Sequence, residues 1–358
     1  MKEKIKVQVI GATGYGGIGI IDLISSHPNF QITSLFAKDK FGATINSYYP
    51  HLNTISELMV QEINQNEIGK NADVIIFTTP DTVAMQMIEP LYKKLLEKNI
   101  KIIDFSGDFR FKDINDYEEY AQRHPKINNT HHNTKNLLHK SVYGLPELFK
   151  DEIKNATIVG NPGCFAVSMI LGIAPLSKLK LIAGSQINID STTGTSGAGK
   201  SLNEIQHFSN MESNFIPYRA LSHQHVTEVK KVVSDLGNEI ENIHFIPHLI
   251  NTTRGIMSSI HIELTEKNSK NQLLAIFKDY YQSEQFVRIL DDPPSLKNVR
   301  GSNFCDISVD VDATGKHAII FSAIDNLMKG QSSNAVQCLN IMYGLDEKTG
   351  IERVPLYP

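Results

Sequence analysis

The 358-residue sequence predicts an α/β chain of two domains, a parallel sheet with helical crossovers followed by an α+β domain on a mainly antiparallel sheet. Three observations carry this. Apolar runs of strand length alternate with helix-spaced segments as far as residue 107. After Val159 strand-like runs dominate, set too far apart for a simple hairpin meander. Residues 333–345 then return to helical spacing, as expected of a segment that comes back to cover the first domain.

Taken in order, KVQVIGA (6–12) reads as a buried strand and IGIIDLISSH (18–27) as a helix ended by Pro28. QITSLFA (31–37) and ADVIIFTTP (72–80) are strands, residues 83–99 are helical, and KIIDFSG (101–107) is a further strand. The polar segment 126–140 holds His131, His132 and His139 without acidic or cysteine partners, so it reads as a solvated loop and not a metal site. Beyond it, residues 184–194, 240–249, 256–265, 303–313 and 316–325 are strand-like, with a helix at 272–282.

Composition bounds the function. A net charge of −4 without a dense Lys/Arg run argues against a broad nucleic-acid surface. No apolar run is long enough to span a membrane. The N-terminus lacks the apolar core of a signal peptide. Three cysteines, Cys164, Cys305 and Cys338, show no metal-type spacing and imply reduced thiols in the cytoplasm.

Three motifs carry chemistry. GATGYGG places Gly11, Gly14 and Gly17 directly after the first strand and before a helix. Glycine permits the tight turn and close backbone approach to a pyrophosphate, and the helix start favours the anion. This is a Rossmann-type dinucleotide site; its plainer reading is a turn needed only for helix–strand packing. After the second strand come Lys38, Asp39 and Lys40. The lysines suit a 2′-phosphate and predict NADP(H), with Asp39 the dissenting residue. Next, Asn161-Pro162-Gly163 is a turn that sets Cys164 at a helix start, where a thiolate is favoured. Cys305 and Cys338 read as core residues. Last, His223, His225 and Glu228 form an H-x-H-x-x-E pattern: a general acid/base oriented by a carboxylate if Cys164 is a nucleophile, a surface pair if not. No third zinc ligand accompanies them, and no metal is expected.

GTSGAGKS (194–201) also matches the phosphate-loop pattern, with a strand before it and SLNEIQHF able to open a helix after it. In a phosphate-loop NTPase this loop follows the first strand, and here GATGYGG holds that place. An NTPase is therefore only a remote alternative.

Together, GATGYGG (11–17), DFSGDFR (104–110), VYGLPEL (142–148), GNPGC (160–164), GTSGAGK (194–200), the histidine pattern at 223–228, and PHL with RGI (247–249, 254–256) resemble the N-acetyl-γ-glutamyl-phosphate reductase family of arginine biosynthesis. That family is related to aspartate-semialdehyde dehydrogenase, and the likeness covers nearly the whole chain. It implies NADPH-dependent reduction of an acyl phosphate through a cysteine thioester, in a cytoplasmic homodimer or homotetramer. Residues 1–160 with 326–358 would bind the dinucleotide, and 161–325 would carry catalysis and oligomerisation. Cys164 maps to the nucleophile and His225 to the acid/base, with His223 the second candidate and Glu228 the orienting carboxylate. Gly11, Thr13, Gly14, Tyr15, Gly16, Gly17, Lys38, Thr79, Pro80, Gly197, Gly199 and Asn326 are expected at the cofactor, and Arg110, Tyr218 and Arg254 at the substrate's anionic groups. The loop glycines would let backbone approach the nicotinamide and acyl group beside Cys164, with Lys200 an auxiliary anion contact.

The chain departs from the family at Phe165-Ala166-Val167, where Tyr-Pro-Thr is common, and at Gln224 and Thr227 within the histidine pattern. It also departs at INTT (250–253) and at KGQSSNAVQ (329–337). N-succinylglutamyl, aminoadipyl or aspartyl phosphate remain alternative substrates.

Overall fold

A computed structural model describes residues 3–357. By contact the chain divides into two compact units. The first comprises the chain up to Ala121, Pro125–Pro162 and Gln331–Glu352; the second comprises Gln122–His124, Gly163–Gly330 and the segment from Arg353 onward.

The first unit holds seven strands: β1 (Ile5–Ile10), β2 (Phe30–Ala37), β3 (Val60–Glu62), β4 (Val74–Phe77), β5 (Lys101–Asp104), β6 (Ser141–Tyr143) and β7 (Ile158–Gly160). They form one sheet in the order β3-β2-β1-β4-β5-β7-β6, every pair parallel. All four residues of β4 are buried, as expected of a central strand covered on both faces. The helix Tyr15–Ser25 follows the glycine turn and buries Ile20, Ile21, Leu23 and Ile24. The helix Ser333–Met342 does return to this unit, packing on the helices Pro146–Asn155 and Tyr15–Ser25.

The helical stretch expected over 83–99 forms, from Val83 to Glu97 and in three pieces. Pro90 lacks the N–H that would continue the ladder, and Val83–Ile88 gives way to a tighter turn, Glu89–Leu91, before Tyr92–Glu97 resumes. One expectation is corrected: segment 126–140 is not simply a solvated loop. His132 is fully buried, edge-on to Phe109 and Tyr117, with Nε2 on the Asp108 carbonyl at 2.7 Å and Nδ1 accepting from the Thr134 N–H at 3.1 Å. It is a neutral core histidine, which burial holds down to about 4.

The second unit has β8 (Gln186–Thr193), β9 (Phe215–Pro217), β10 (Asn242–Ile250), β11 (Ile256–Glu263), β12 (Val287–Ile289), β13 (Cys305–Val311) and β14 (His317–Ile324). Their order is β12-β13-β14-β11-β8-β10-β9, with β12/β13 and β8/β10 parallel and the other pairs antiparallel. Along β8 the side chains alternate: Ile187, Ile189, Ser191 and Thr193 are buried, while Gln186, Asn188 and Asp190 are exposed. The helix Cys164–Lys178 lies on the inner face. It is apolar all round and buried from Phe165 to Ser177, packed on β11, β14 and the helix His225–Leu236. Gly172 lets it come close, since a Cβ there would sit 2.6 Å from Ile260 Cδ1. The helix expected after GTSGAGKS does not form. Thr195–Ala198 is one tight turn, followed only by the short Glu204–Gln206 and Phe208–Met211.

Candidate active site

In the first unit, Gly11 and Ala12 donate their N–H groups to the Phe36 carbonyl at 2.8 and 3.0 Å, which clamps the glycine turn to the end of β2. Gly11 has φ +91°, and a Cβ there would sit 2.8 Å from the Thr78 carbonyl oxygen. A Cβ on Gly17 would lie 2.6 Å from Ala12 Cα, so glycine is what lets the helix start close on the strand. Gly16 packs on Phe105, Gly14 has ordinary clearance, and Tyr15 is exposed. The helix start carries neither a side-chain cap nor an acidic residue in its first turn. Its N–H groups and dipole suit a phosphate. Thr79, buried just past β4, has an Oγ1 with no hydrogen-bond partner among the described residues, as does Gln331 Oε1. Pro80 and Lys38 are exposed near the ends of β4 and β2. A cradle that Cβ atoms would fill, beside orphaned polar atoms, fits a dinucleotide.

Arg110 has another use in this unit. Its Nε donates to the Asn161 carbonyl at 2.8 Å and its Nη2 to the Phe105 carbonyl at 2.7 Å, bracing the ends of β5 and β7. Around it, Asp108 caps the Thr82 and Met85 N–H groups, and burial pushes the Asp104 carboxyl up to about 6.

In the second unit, Cys164 is the first residue of its buried helix and is half-buried itself. The histidine pattern arrives on a turn in which Arg219 (φ 46°) and Leu221 (φ 59°) both take left-handed backbone. The following helix begins at His225, which puts His225 and Glu228 one turn apart on one face. The His225 ring packs against Gly163, where a Cβ would sit 2.3 Å from Nε2. Glu228, almost fully buried, accepts the Gly163 N–H at Oε2 (3.0 Å) and places Oε1 4.0 Å from His225 Nε2. One carboxylate thus meets both the histidine and the backbone residue before the cysteine. On the far side, a Cβ on Gly330 would lie 2.8 Å from Cys164 Cβ.

The two histidines differ. His223 is boxed in by the rings of Phe165, Tyr218 and Phe245, and its Nδ1 accepts the His225 N–H at 3.2 Å. Burial, with Arg219 and His124 adding to it, holds His223 down to about 3. It stays neutral and orients its neighbour. Tyr218 is half-buried, and burial together with the Cys164 charge raises its phenol well above the ordinary range, so it remains a donor.

Other expected site residues serve to join loops. Arg254 Nε lies 3.1 and 3.2 Å from the two oxygens of the fully buried Asp325, which also accepts the Gly301, Leu327 and Met328 N–H groups. Asn326 accepts the Gly255 N–H and donates to Ser196 Oγ. In the phosphate-loop look-alike, Gly194 is the glycine sterically required, since a Cβ there would fall 2.6 Å from the backbone of Thr253 and Arg254. Gly199 needs its left-handed φ of +80°, Gly197 has near-ordinary clearance, and Lys200 is half-buried.

Sequence reasoning missed Gly163 and Gly330 as the positions that make room for the histidine and the thiol, and it missed Arg219. Arg219 donates to Gln224 Oε1 and to the Arg123 and Ser222 carbonyls, fixing the turn ahead of the histidines. The glycines flank the motifs, at GNPGC and KGQ; Arg219 gave no signal in the sequence.

Comparison with known proteins follows the same division. Residues 6–156 match the semialdehyde dehydrogenase NAD binding domain and residues 164–326 the semialdehyde dehydrogenase dimerisation domain. The chain is 39% identical over 356 residues to an N-acetyl-gamma-glutamyl-phosphate reductase of Desulforamulus reducens, covering 99% of this chain and 100% of that protein. It is 39% identical over 353 residues to the enzyme of the same name from Acetivibrio thermocellus, covering 98% and 99%. Among solved structures, aspartate semialdehyde dehydrogenase II of Vibrio cholerae, complexed with ASA, shares the fold at a TM-score of 0.68 and 16% identity, over 96% of this chain and 99% of that one. The enzyme of Candida albicans with NADP does so at 0.64 and 16%, over 95% and 99%.

Proposed function

The chain belongs to the N-acetyl-γ-glutamyl-phosphate reductases of the semialdehyde dehydrogenase family, and we propose how its own residues carry out that reaction. The activity is the NADPH-dependent reductive dephosphorylation of N-acetyl-γ-glutamyl phosphate to N-acetylglutamate semialdehyde and phosphate, a step of arginine biosynthesis.

Cys164 is the nucleophile and His225 the acid/base. His225 takes the thiol proton, the sulfur attacks the acyl carbon, and the bond from that carbon to the phosphate oxygen breaks, leaving a thioester and free phosphate. When bound, NADPH would supply the hydride that turns the thioester into the aldehyde; the carbon–sulfur bond breaks, and Cys164 leaves as a thiolate that takes back the proton held by His225. Glu228 holds His225 and stabilises its protonated form through the 4.0 Å approach to Nε2. The N–H groups that begin the Cys164–Lys178 helix face the acyl oxygen as it gains charge. Tyr218 donates to the substrate, and His223 positions His225. Gly11, Gly14, Gly17 and Thr79 hold the dinucleotide, with Lys38 toward its 2′-phosphate. Arg110 and Arg254 act on substrate through the loops they brace. In function we divide the chain into a dinucleotide domain of 1–160 with 326–358 and a catalytic domain of 161–325.

The observation that supports this most is Glu228 meeting both His225 and the Gly163 N–H, one residue before Cys164. The chain forms an oligomer through its dimerisation domain. We assign it as a homodimer or homotetramer working in the cytoplasm; no described helix is long and apolar enough to cross a membrane.

The test is the reverse reaction with NADP, phosphate and a panel of semialdehydes: N-acetylglutamate, N-succinylglutamate, aminoadipate and aspartate. N-acetylglutamate semialdehyde should give the highest kcat/KM. Activity retained by Cys164→Ser would sink the cysteine mechanism.

A further inference from the structure

The end of β2 carries a conflict of charge. Lys38 and Lys40 suit a phosphorylated ribose, yet Asp39 stands between them where a carboxylate pairs with a free 2′-hydroxyl. The structure shows how each is held. Thr13, buried in the middle of the glycine turn, donates its Oγ1 to Asp39 Oδ1 at 3.0 Å. The Thr13 carbonyl accepts the Tyr49 hydroxyl at 2.6 Å, and Lys40 Nζ lies over the Tyr49 ring, 5.4 Å from its centroid. Lys40 takes a left-handed backbone, φ 52°, at this position. One lysine is therefore drawn onto an aromatic face, while the carboxylate is tied to the turn that receives the pyrophosphate. Lys38, Asp39 and Lys40 are all exposed to an incoming ligand.

We propose that Asp39, tethered by Thr13, sets the cofactor selectivity of this chain and makes its site accept NAD(H) alongside NADP(H). The physical reason is a balance of two interactions. A carboxylate fixed at the edge of the turn accepts a hydrogen bond from the 2′-hydroxyl of an unphosphorylated ribose. The same charge repels a 2′-phosphate and offsets the attraction of Lys38. The inference rests on the dinucleotide reading above and adds to it a residue that discriminates.

Binding tests this without turnover. The full chain is titrated with NADH and with NADPH, following nicotinamide fluorescence, for the parent and for Asp39→Ser. Asp39 is exposed, so the substitution leaves the core untouched. The parent should bind the two within about tenfold of each other. Asp39→Ser should weaken NADH and tighten NADPH by roughly tenfold each, the scale of one charge-assisted contact. Lys38→Ala should move the ratio the other way by weakening NADPH. A change in the Kd ratio of less than tenfold for Asp39→Ser, with both dinucleotides still bound, overturns the role of Asp39 and leaves the reductase reading standing. Binding of neither dinucleotide to the parent overturns both.

Discussion

At Cys164, the start of a helix contributes about 0.3–1 kcal/mol toward a thiolate, less than the roughly 1.4 kcal/mol of one pKa unit. A partner is needed, and in the proposed mechanism His225, paired with Glu228 at 4.0 Å, is that partner. Cys164→Ser should lower the reverse rate at least a thousandfold, roughly, since the nucleophile acts in every turnover. His225→Asn should lower kcat by about 10²–10⁴ and remove the limb of the pH–rate profile that His225 governs. His223→Gln should lower kcat while leaving the profile in place, because His223 does not titrate in the working range. A lost limb in that variant would reverse the two assignments. The residue types were legible in the sequence, but the choice between the histidines was not. That choice turns on three aromatic rings, from Phe165, Tyr218 and Phe245, which meet His223 only through tertiary packing.

At the scale of elements, two glycines bring the site together. With the His225 ring seated on Gly163, Gly163→Ala must displace the imidazole and should lower kcat by about 10²–10⁴ while the chain stays folded. Gly330→Ala crowds Cys164 Cβ and should slow alkylation of the thiol by iodoacetamide. An unchanged alkylation rate would show that the neighbouring turn gives way at no cost to access. Most strands were readable because they are long apolar runs or alternate cleanly, as β1, β8 and β11 do. The three-residue strands β3, β6, β7, β9 and β12 were not, since three residues carry no period and form only because a neighbouring strand is waiting. The match at GTSGAGKS misled about its surroundings. Its first glycine serves a close approach to the backbone of Thr253 and Arg254, on another loop that the sequence places some sixty residues away.

For the whole molecule, acid stability follows from buried histidines. Burial holds His132 down to about 4 and His223 down to about 3 from an ordinary 6.5, so both are neutral when folded at neutral pH. The unfolded chain takes up their protons below about 6.5. Their contribution is complete above that pH and is lost as pH falls toward 4 and then 3, at up to about 1.4 kcal/mol per pH unit for each. Asp104 works in the opposite sense: raised to about 6, its contribution is complete below 3.8 and lost as pH rises through 6. His132→Gln isolates one part, and its Tm should fall less steeply than that of the parent between pH 6.5 and about 4.5. An equal slope would mean that His132 takes up its proton in the folded chain as readily as in the unfolded one. Association belongs to this scale as well. Light scattering should give a mass two or four times that of the chain, and a monomer active at full rate would remove the oligomer from the mechanism.

The sequence by itself determined the longer strands, the parallel and mainly antiparallel sheets, the dinucleotide turn and the cysteine at a helix start. These depend on local period, on glycine's backbone freedom and on residue chemistry. Only the tertiary structure decided that His132 is a core residue, that Arg110 and Arg254 are braces, that Glu228 joins histidine to helix start, and that Thr13 holds Asp39 at the turn. Each of these is a contact between residues far apart in the chain. Whether a charge is buried, paired or presented to a ligand depends on the neighbour that folding brings to it.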